Sequence, residues 1–193
     1  MTRFFYLAFV LSIAALNAQN SARSTTSGEP ISAERMVIYQ DFLSHYQDED
    51  GSKKTFVLNL AQTTVAFEPE SGDRLTCLKH FTQDELMSSP PHMFRPTDFQ
   101  NRSIRIVDPK KQQIHDPGEA INKGQSVDDA VSAGFASAIF TLSEIVFDAS
   151  HTHAAFSYSF HCGALCGDGG DIVYELKSGK WKKSGDACGM WIS

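Results

Sequence analysis

Two cysteines, four glycines and two aspartates lie within residues 161–171, near the C-terminus of this 193-residue chain. Cys162 and Cys166 are separated by three residues, whereas thioredoxin-like redox motifs place two residues between their cysteines. The pair also does not open a helix that follows a strand, so no helix dipole is available to activate a thiol. The spacing therefore favours a structural disulfide across a turn, with a thiol–disulfide oxidoreductase as an alternative.

The glycine-rich part of this stretch also has the composition of an ion-binding loop. Residues Gly167–Asp171 lack the spaced acidic ligands and terminal glutamate of an EF-hand, and they lack the lysine and hydroxyl residue of a phosphate-binding loop. We therefore interpret them as a hairpin turn beside an exposed polar strand face. The candidate binding surface consists of four residues, namely His153, His161, Asp168 and Asp171.

Three histidines occupy positions of the same parity, namely His151, His153 and His161. Imidazoles at alternate strand positions can bind zinc or copper, which makes a metal-dependent hydrolase a second alternative. However, His151 falls in a turn, and at roughly 3.3 Å per strand residue His153 and His161 start too far apart to share one ion. We expect exposed histidines, with no metal and no other cofactor.

Support for nucleophilic catalysis is weak, because the sequence contains no Gly-x-Ser-x-Gly elbow. An enzymatic role stays open, but a non-catalytic binding or structural module is favoured. The chain has 17 Lys and Arg against 23 Asp and Glu and no basic stripe, which argues against nucleic acid as a partner. The expected partner is a protein or a small molecule whose identity the sequence does not specify.

The first residues predict export. Residues 1–18 have the charge, short apolar run and small residue of a signal peptide, with Arg3 before the apolar segment Phe4–Leu16. We expect a periplasmic or secreted protein that does not insert into a membrane after cleavage. Residues 19–30 read as a flexible tail, and residues 31–193 as a single domain.

Four cysteines in an exported chain favour disulfides, and they allow three pairings. Across the tight turn, the α-carbons of Cys162 and Cys166 can come within bridging distance. We predict Cys162–Cys166 together with Cys77–Cys188, the latter joining the middle of the chain to its C-terminal region.

Hydrophobic periodicity predicts an α+β fold. A helix capped by Ser32 is expected to carry an apolar stripe through Tyr46, and a second helix should run from Ser126 through Ala138. Residues 108–124 look irregular, and the aromatic residues of the proline-rich loop at 88–96 and just beyond it are expected to be tucked under it. From residue 139 the pattern is that of a meander, because residues 153–162 alternate cleanly. The prediction is an N-terminal helix and short helices packed on an antiparallel sheet that ends in a four-stranded C-terminal meander.

Four segments of the C-terminal half form a recognisable pattern, namely Leu142–Phe147, Cys162–Gly167, Ser178–Lys182 and Trp191–Ser193. They correspond to a strand, a CG-x-LCG turn, a GKW hairpin and a terminal WIS. In these segments the chain resembles a family of uncharacterised exported bacterial proteins. The resemblance implies an exported α+β domain and no assigned activity. Cys77 and Cys188 lie outside this pattern, and their joint occurrence supports their pairing with each other.

Overall fold

A computed structural model describes residues 30–49, 56–68, 77–87, 90–100 and 103–193. The predicted signal peptide and nearly all of the predicted tail lie outside these residues. Among the helices that are described, none combines the length and the apolar character needed to cross a membrane.

Four helices are present in the described residues: α1 (Ala33–Glu49), α2 (Gln83–Leu86), α3 (Pro117–Asn122) and α4 (Val127–Ser137). The helices α1 and α4 occur where the sequence predicts them. The Ser32 hydroxyl accepts a hydrogen bond from the Arg35 amide at the start of α1, and the Ser126 hydroxyl caps α4 by accepting from the Asp129 amide. In contrast, α3 lies inside the segment expected to be irregular.

Within the described ranges, seven strands form one sheet: β1 (Leu58–Ala61), β2 (Ile104–Val107), β3 (Ile139–Leu142), β4 (Val146–Phe147), β5 (His153–Gly163), β6 (Cys166–Lys177) and β7 (Lys180–Ile192). Their order is β2-β1-β3-β5-β6-β7, and β4 pairs with β5. The strands β3, β5, β6 and β7 are antiparallel neighbours, which confirms the α+β fold and the C-terminal meander.

The sheet is mixed rather than antiparallel throughout. Strand β1 runs parallel to both β2 and β3. A parallel pair needs a long crossover, and residues 62–103 provide one between β1 and β2. The expectation of a purely antiparallel sheet was therefore wrong for this edge, because a single strand's sequence pattern does not report the direction of its neighbour.

The first meander strand is interrupted. Residues 139–147 form two strands, β3 and β4, which both pair with β5 and are separated by residues 143–145. There the Glu144 amide donates a hydrogen bond to the Val65 carbonyl instead of continuing the ladder to β5. At this break the buried Glu144 side chain accepts hydrogen bonds from the Thr64 hydroxyl and the His92 amide.

The alternation along β5 places apolar side chains against α1. The buried members of this face are Ala154, Phe156, Tyr158, Phe160 and Cys162, as predicted. They pack with buried α1 residues, including Tyr39 and Phe42, in the larger core. A second, smaller core covers part of the opposite face, where Ala155 and Val173 pack against Leu78 and Leu86. The middle of the meander is therefore buried on both faces.

Two disulfides stabilise this arrangement. Cys77 pairs with Cys188 across a Cα–Cα distance of 6.2 Å, and Cys162 pairs with Cys166 across 5.1 Å. Both predicted pairings are confirmed. The first bridge joins the smaller core to β7, whereas the second closes the end of the β5–β6 hairpin. The expectation that loop aromatics are tucked is also confirmed, since Phe94 and Phe99 are buried.

Candidate functional site

A cavity of about 720 Å³ lies between the end of α1, the α3–α4 pair and the end of the β5–β6 hairpin. We call it the tip cavity. Its apolar walls are formed by Pro117, Ile121, Val131, Phe135, Phe160, Leu165, Met190 and Ile192. The Cys162–Cys166 disulfide also lines it, so this bridge fixes one wall of the cavity.

Among the described residues that line this apolar cavity, Asp168 supplies a side-chain carboxylate. Asp168 is half-buried on β6, opposite Phe160 of β5. Its Oδ1 accepts a hydrogen bond from the Tyr46 hydroxyl at 2.7 Å, and its Oδ2 accepts one from the Tyr158 hydroxyl at 3.0 Å. Two neutral donors on different elements therefore orient the carboxylate without neutralising it.

Apolar side chains also extend out of the tip cavity into solvent. Leu165 at the hairpin end is 86% exposed, and Ile192 at the end of β7 is 88% exposed. Met190 lies beside them and is also exposed. Neighbouring exposed apolar residues around a cavity are typical of a surface that binds another molecule.

The glycines of β6 let β7 approach closely at this site. A Cβ on Gly169 would lie 2.6 Å from the Trp191 ring, and a Cβ on Gly170 would collide with the Met190 sulfur. The sequence reading assigned these glycines to turn curvature. The structure instead places Gly169 and Gly170 within a strand, where the missing side chains make room for residues of β7.

Asp116 connects the start of α3 to the end of the β5–β6 hairpin. Its carboxylate accepts hydrogen bonds from the Ala164 amide and from the Glu119 amide, the second of which caps α3. These two backbone donors hold the pKa of Asp116 below its ordinary value. A Cβ added to Gly163 would lie 2.7 Å from Asp116 Oδ2, so a side chain at position 163 would disrupt the hydrogen bond between Asp116 and the Ala164 amide.

The predicted binding surface is not a single surface. Asp168 lies in the tip cavity, but strand alternation directs His161 to the opposite face of the sheet. Asp171 is fully buried and accepts a hydrogen bond from the Ser157 hydroxyl at 2.6 Å. His153 lies at the far end of β5. The four residues therefore do not share one face of the sheet: Asp168 lies on the face of Phe160, whereas His153, His161 and Asp171 lie on the other. That any of them binds a partner stays a prediction.

The three histidines have separate surroundings. His151 Nε2 lies 3.0 Å from Glu34 Oε2, whereas the His153 ring stacks on His80 with centroids 3.9 Å apart. His161 is exposed on β5. Across the described residues, no group of three or more histidine, cysteine or acidic side chains is placed to hold a metal ion. The geometry therefore does not assemble the histidine cluster that the hydrolase alternative requires.

Asp148 accepts several hydrogen bonds from the turn that precedes His153. Burial alone would raise the pKa of this carboxyl, but hydrogen bonds from the Ser150 hydroxyl and from the His153 and Thr152 amides outweigh burial and hold the pKa far below its ordinary value. The His153 ring nitrogen Nδ1 lies 3.3 Å from Asp148 Oδ2. Asp148 thus holds the connection between β4 and the first residue of β5, His153.

Both hairpin cysteines lie on strands. Cys162 is fully buried on β5, and Cys166 begins β6. Neither lies at a helix N-terminus, which is the setting that lowers the pKa of reactive thiols in redox motifs. The geometry thus favours a structural bridge that shapes the tip cavity.

Sequence reasoning missed a buried acidic residue outside the tip cavity. Glu144 is almost fully buried, and its Oε1 accepts hydrogen bonds from the Thr64 hydroxyl and from the His92 amide. Its Oε2 lies 2.8 Å from His92 Nδ1. These contacts attach the proline-rich loop to the sheet. The one signal in the sequence for these contacts is the polar pair Ser143–Glu144, which interrupts an apolar run.

Comparisons with protein-family models, with curated proteins and with solved structures find no match to this chain.

Proposed function

We propose that this protein is an exported bacterial module that binds a small, largely apolar molecule in the tip cavity, in the periplasm or outside the cell. The observation that carries the proposal is an apolar cavity of about 720 Å³ with one oriented carboxylate, Asp168, in its wall. Ligand sites in proteins typically measure roughly 300–1,000 Å³ and combine apolar walls with a few placed polar groups.

The compartment is part of the same proposal. A signal-peptide pattern over residues 1–18 supports export, and two disulfides are typical of an oxidising compartment. The resemblance to exported bacterial proteins supports a bacterial origin. In this role the residues of the tip cavity bind a ligand and do not catalyse a reaction.

Binding is tested with the neutral fluorescent dye Nile red and the purified exported protein. Val131 lines the tip cavity and is 36% exposed, whereas Val127 lies one turn earlier on α4, is 60% exposed and does not line it. A carboxylate at position 131 would lose water when the dye covers this wall, and that desolvation costs free energy, so Val131→Asp should weaken dye binding at least tenfold. Val127→Asp introduces the same charge and should leave dye binding unchanged.

The two variants also separate binding from stability, because both side chains are exposed enough to be replaced without opening the core. Saturable binding of one dye per chain, lost only in Val131→Asp, supports the proposal. Equal binding by both variants, or the absence of saturable binding by the wild-type protein, would contradict it.

A further inference from the structure

We propose that the ligand of the tip cavity is an organic cation, such as an amine or quaternary ammonium compound with an apolar body. The proposal rests on the proposed function and specifies its ligand class. The central observation is that the tip cavity contains a carboxylate with only neutral hydrogen-bond donors. The described residues offer Asp168 no lysine, arginine or histidine partner within ion-pair distance, and the two groups that orient it are tyrosine hydroxyls.

The carboxylate retains binding capacity after these two contacts. Each oxygen of an ionised carboxylate has about two lone-pair positions, and one tyrosine hydroxyl occupies one position on each oxygen of Asp168. Both oxygens therefore keep lone pairs and negative charge for a cationic group, which binds by charge attraction and, where it carries an N–H, by a hydrogen bond as well. Asp168 carries the only charged side chain among the described residues that line the tip cavity, so the charge there is negative without an internal counterion.

Four aromatic side chains line the tip cavity together with Asp168. The Tyr46 and Tyr158 rings have centroids 5.5 Å apart, and the Phe135 and Phe160 rings lie 5.6 Å apart on the same side of the sheet. The faces of aromatic rings attract ammonium groups, and this attraction is strongest where water is excluded. Rings and carboxylate together favour a cation over a neutral molecule of the same shape.

The negative charge of Asp168 also disfavours anionic ligands. A fatty acid or another anion would place like charges together in an apolar setting, where electrostatic repulsion is weakly screened. The net charge of the whole chain, −6, adds to the attraction of cations and the repulsion of anions. The tip cavity thus suits a molecule with an apolar portion for the α3–α4 wall and a cationic group for Asp168.

The test compares three probes with the same alkyl chain, measured by isothermal titration calorimetry. They are octyltrimethylammonium, 1-octanol and octanoate, which are cationic, neutral and anionic. In the wild-type protein we expect octyltrimethylammonium to bind at least tenfold more tightly than 1-octanol, and octanoate to bind more weakly than either. Added sodium chloride should weaken the binding of the cation and leave that of 1-octanol nearly unchanged.

Substitution then assigns the preference to one residue. Asp168→Asn should lower the affinity for octyltrimethylammonium about tenfold without changing that for 1-octanol. Asp128→Asn is the matched control, because it removes the same charge from an exposed position on α4 that does not line the tip cavity. The three-probe comparison on the wild-type protein tests the inference even where Asp168→Asn is unstable.

The outcomes separate the two proposals. If 1-octanol binds in a manner sensitive to Val131→Asp but the cation binds no better, the cation inference is wrong and the proposed function stands. Equal effects of Asp168→Asn and Asp128→Asn on cation binding would likewise overturn the inference. If neither the three probes nor Nile red bind, the proposed function itself is wrong.

Discussion

The two disulfides should contribute very differently to stability. Cys77 and Cys188 are 111 residues apart in sequence, whereas Cys162 and Cys166 are 4 apart. In the chain-entropy model, a crosslink stabilises the fold by restricting the unfolded chain, and its contribution rises with the logarithm of the loop length. The two separations correspond to about 5 kcal/mol and about 2 kcal/mol at 25 °C. Removing the long-range bridge should therefore cost about 3 kcal/mol more than removing the hairpin bridge.

The variants are Cys77→Ala with Cys188→Ala, and Cys162→Ala with Cys166→Ala. Alanine is used because Cys162 is fully buried and a serine hydroxyl there would add a polar group to the core. The free energy of unfolding is measured by urea denaturation followed by far-ultraviolet circular dichroism, with the remaining disulfide kept oxidised. The slope against urea should also be larger for the long-range variant, because its unfolded chain exposes more surface.

Equal destabilisation of the two variants would refute this reasoning, as would a larger loss in the hairpin variant. Either result would mean that the contribution of the hairpin bridge lies mainly in the native structure around the tip cavity rather than in restriction of the unfolded chain. The prediction thus tests whether the short bridge is chiefly a stabiliser or chiefly a means of shaping that wall.

Two further substitutions test individual contacts. The lowered pKa of Asp148 means that its ionised form stabilises the fold above the ordinary carboxyl pKa of about 3.9 and that this contribution is lost as pH falls toward the folded-state value. Asp148→Asn should therefore lower the free energy of unfolding by about 2 kcal/mol at pH 7. In urea titrations, the difference from wild type should shrink below about pH 4. A difference that does not change with pH would contradict the coupling between Asp148 ionisation and stability. Gly169→Ala should lower the free energy of unfolding by about 1–3 kcal/mol and shift Trp191 fluorescence, because the added Cβ would lie 2.6 Å from that ring. Gly185→Ala is the control: its added Cβ would have no atom within 4 Å, so it should change stability by less than about 0.5 kcal/mol. Equal effects of the two substitutions would show that the close approach of Trp191 is unimportant.

Local patterns predicted the local structure well. The clean alternation of residues 153–162 predicted β5 and its buried face, and Ser126 predicted the start of α4. The helix α3 was missed even though Asp116 and Pro117 form a standard start signal, with Asp116 as the N-cap and proline in the first turn. The prediction of an irregular segment was therefore wrong for residues 117–122, where the local start signal was sufficient.

Long-range features could not be predicted in the same way. The direction of β1 relative to β3 depends on how the chain crosses over, which strand periodicity does not encode. The tip cavity depends on a contact between Tyr46 and Asp168, which are 122 residues apart in sequence. The sequence analysis selected Asp168 but grouped it with His161 on one surface. It could not predict that Asp168 contacts Tyr46, because that contact depends on how α1 packs on the sheet. Tyr46 was read only as part of the apolar stripe of α1.

The central claim, that the tip cavity binds an apolar ligand, is tested most directly by nuclear magnetic resonance of the exported protein with bound 1-octanol. Intermolecular nuclear Overhauser effects should link the alkyl chain to the methyl groups of Ile121, Val131 and Leu165, all of which line the tip cavity. The methyl groups of Leu78, which lie in the smaller core, should show none. Effects confined to residues outside the tip cavity, or no effects at saturating 1-octanol, would contradict the claim.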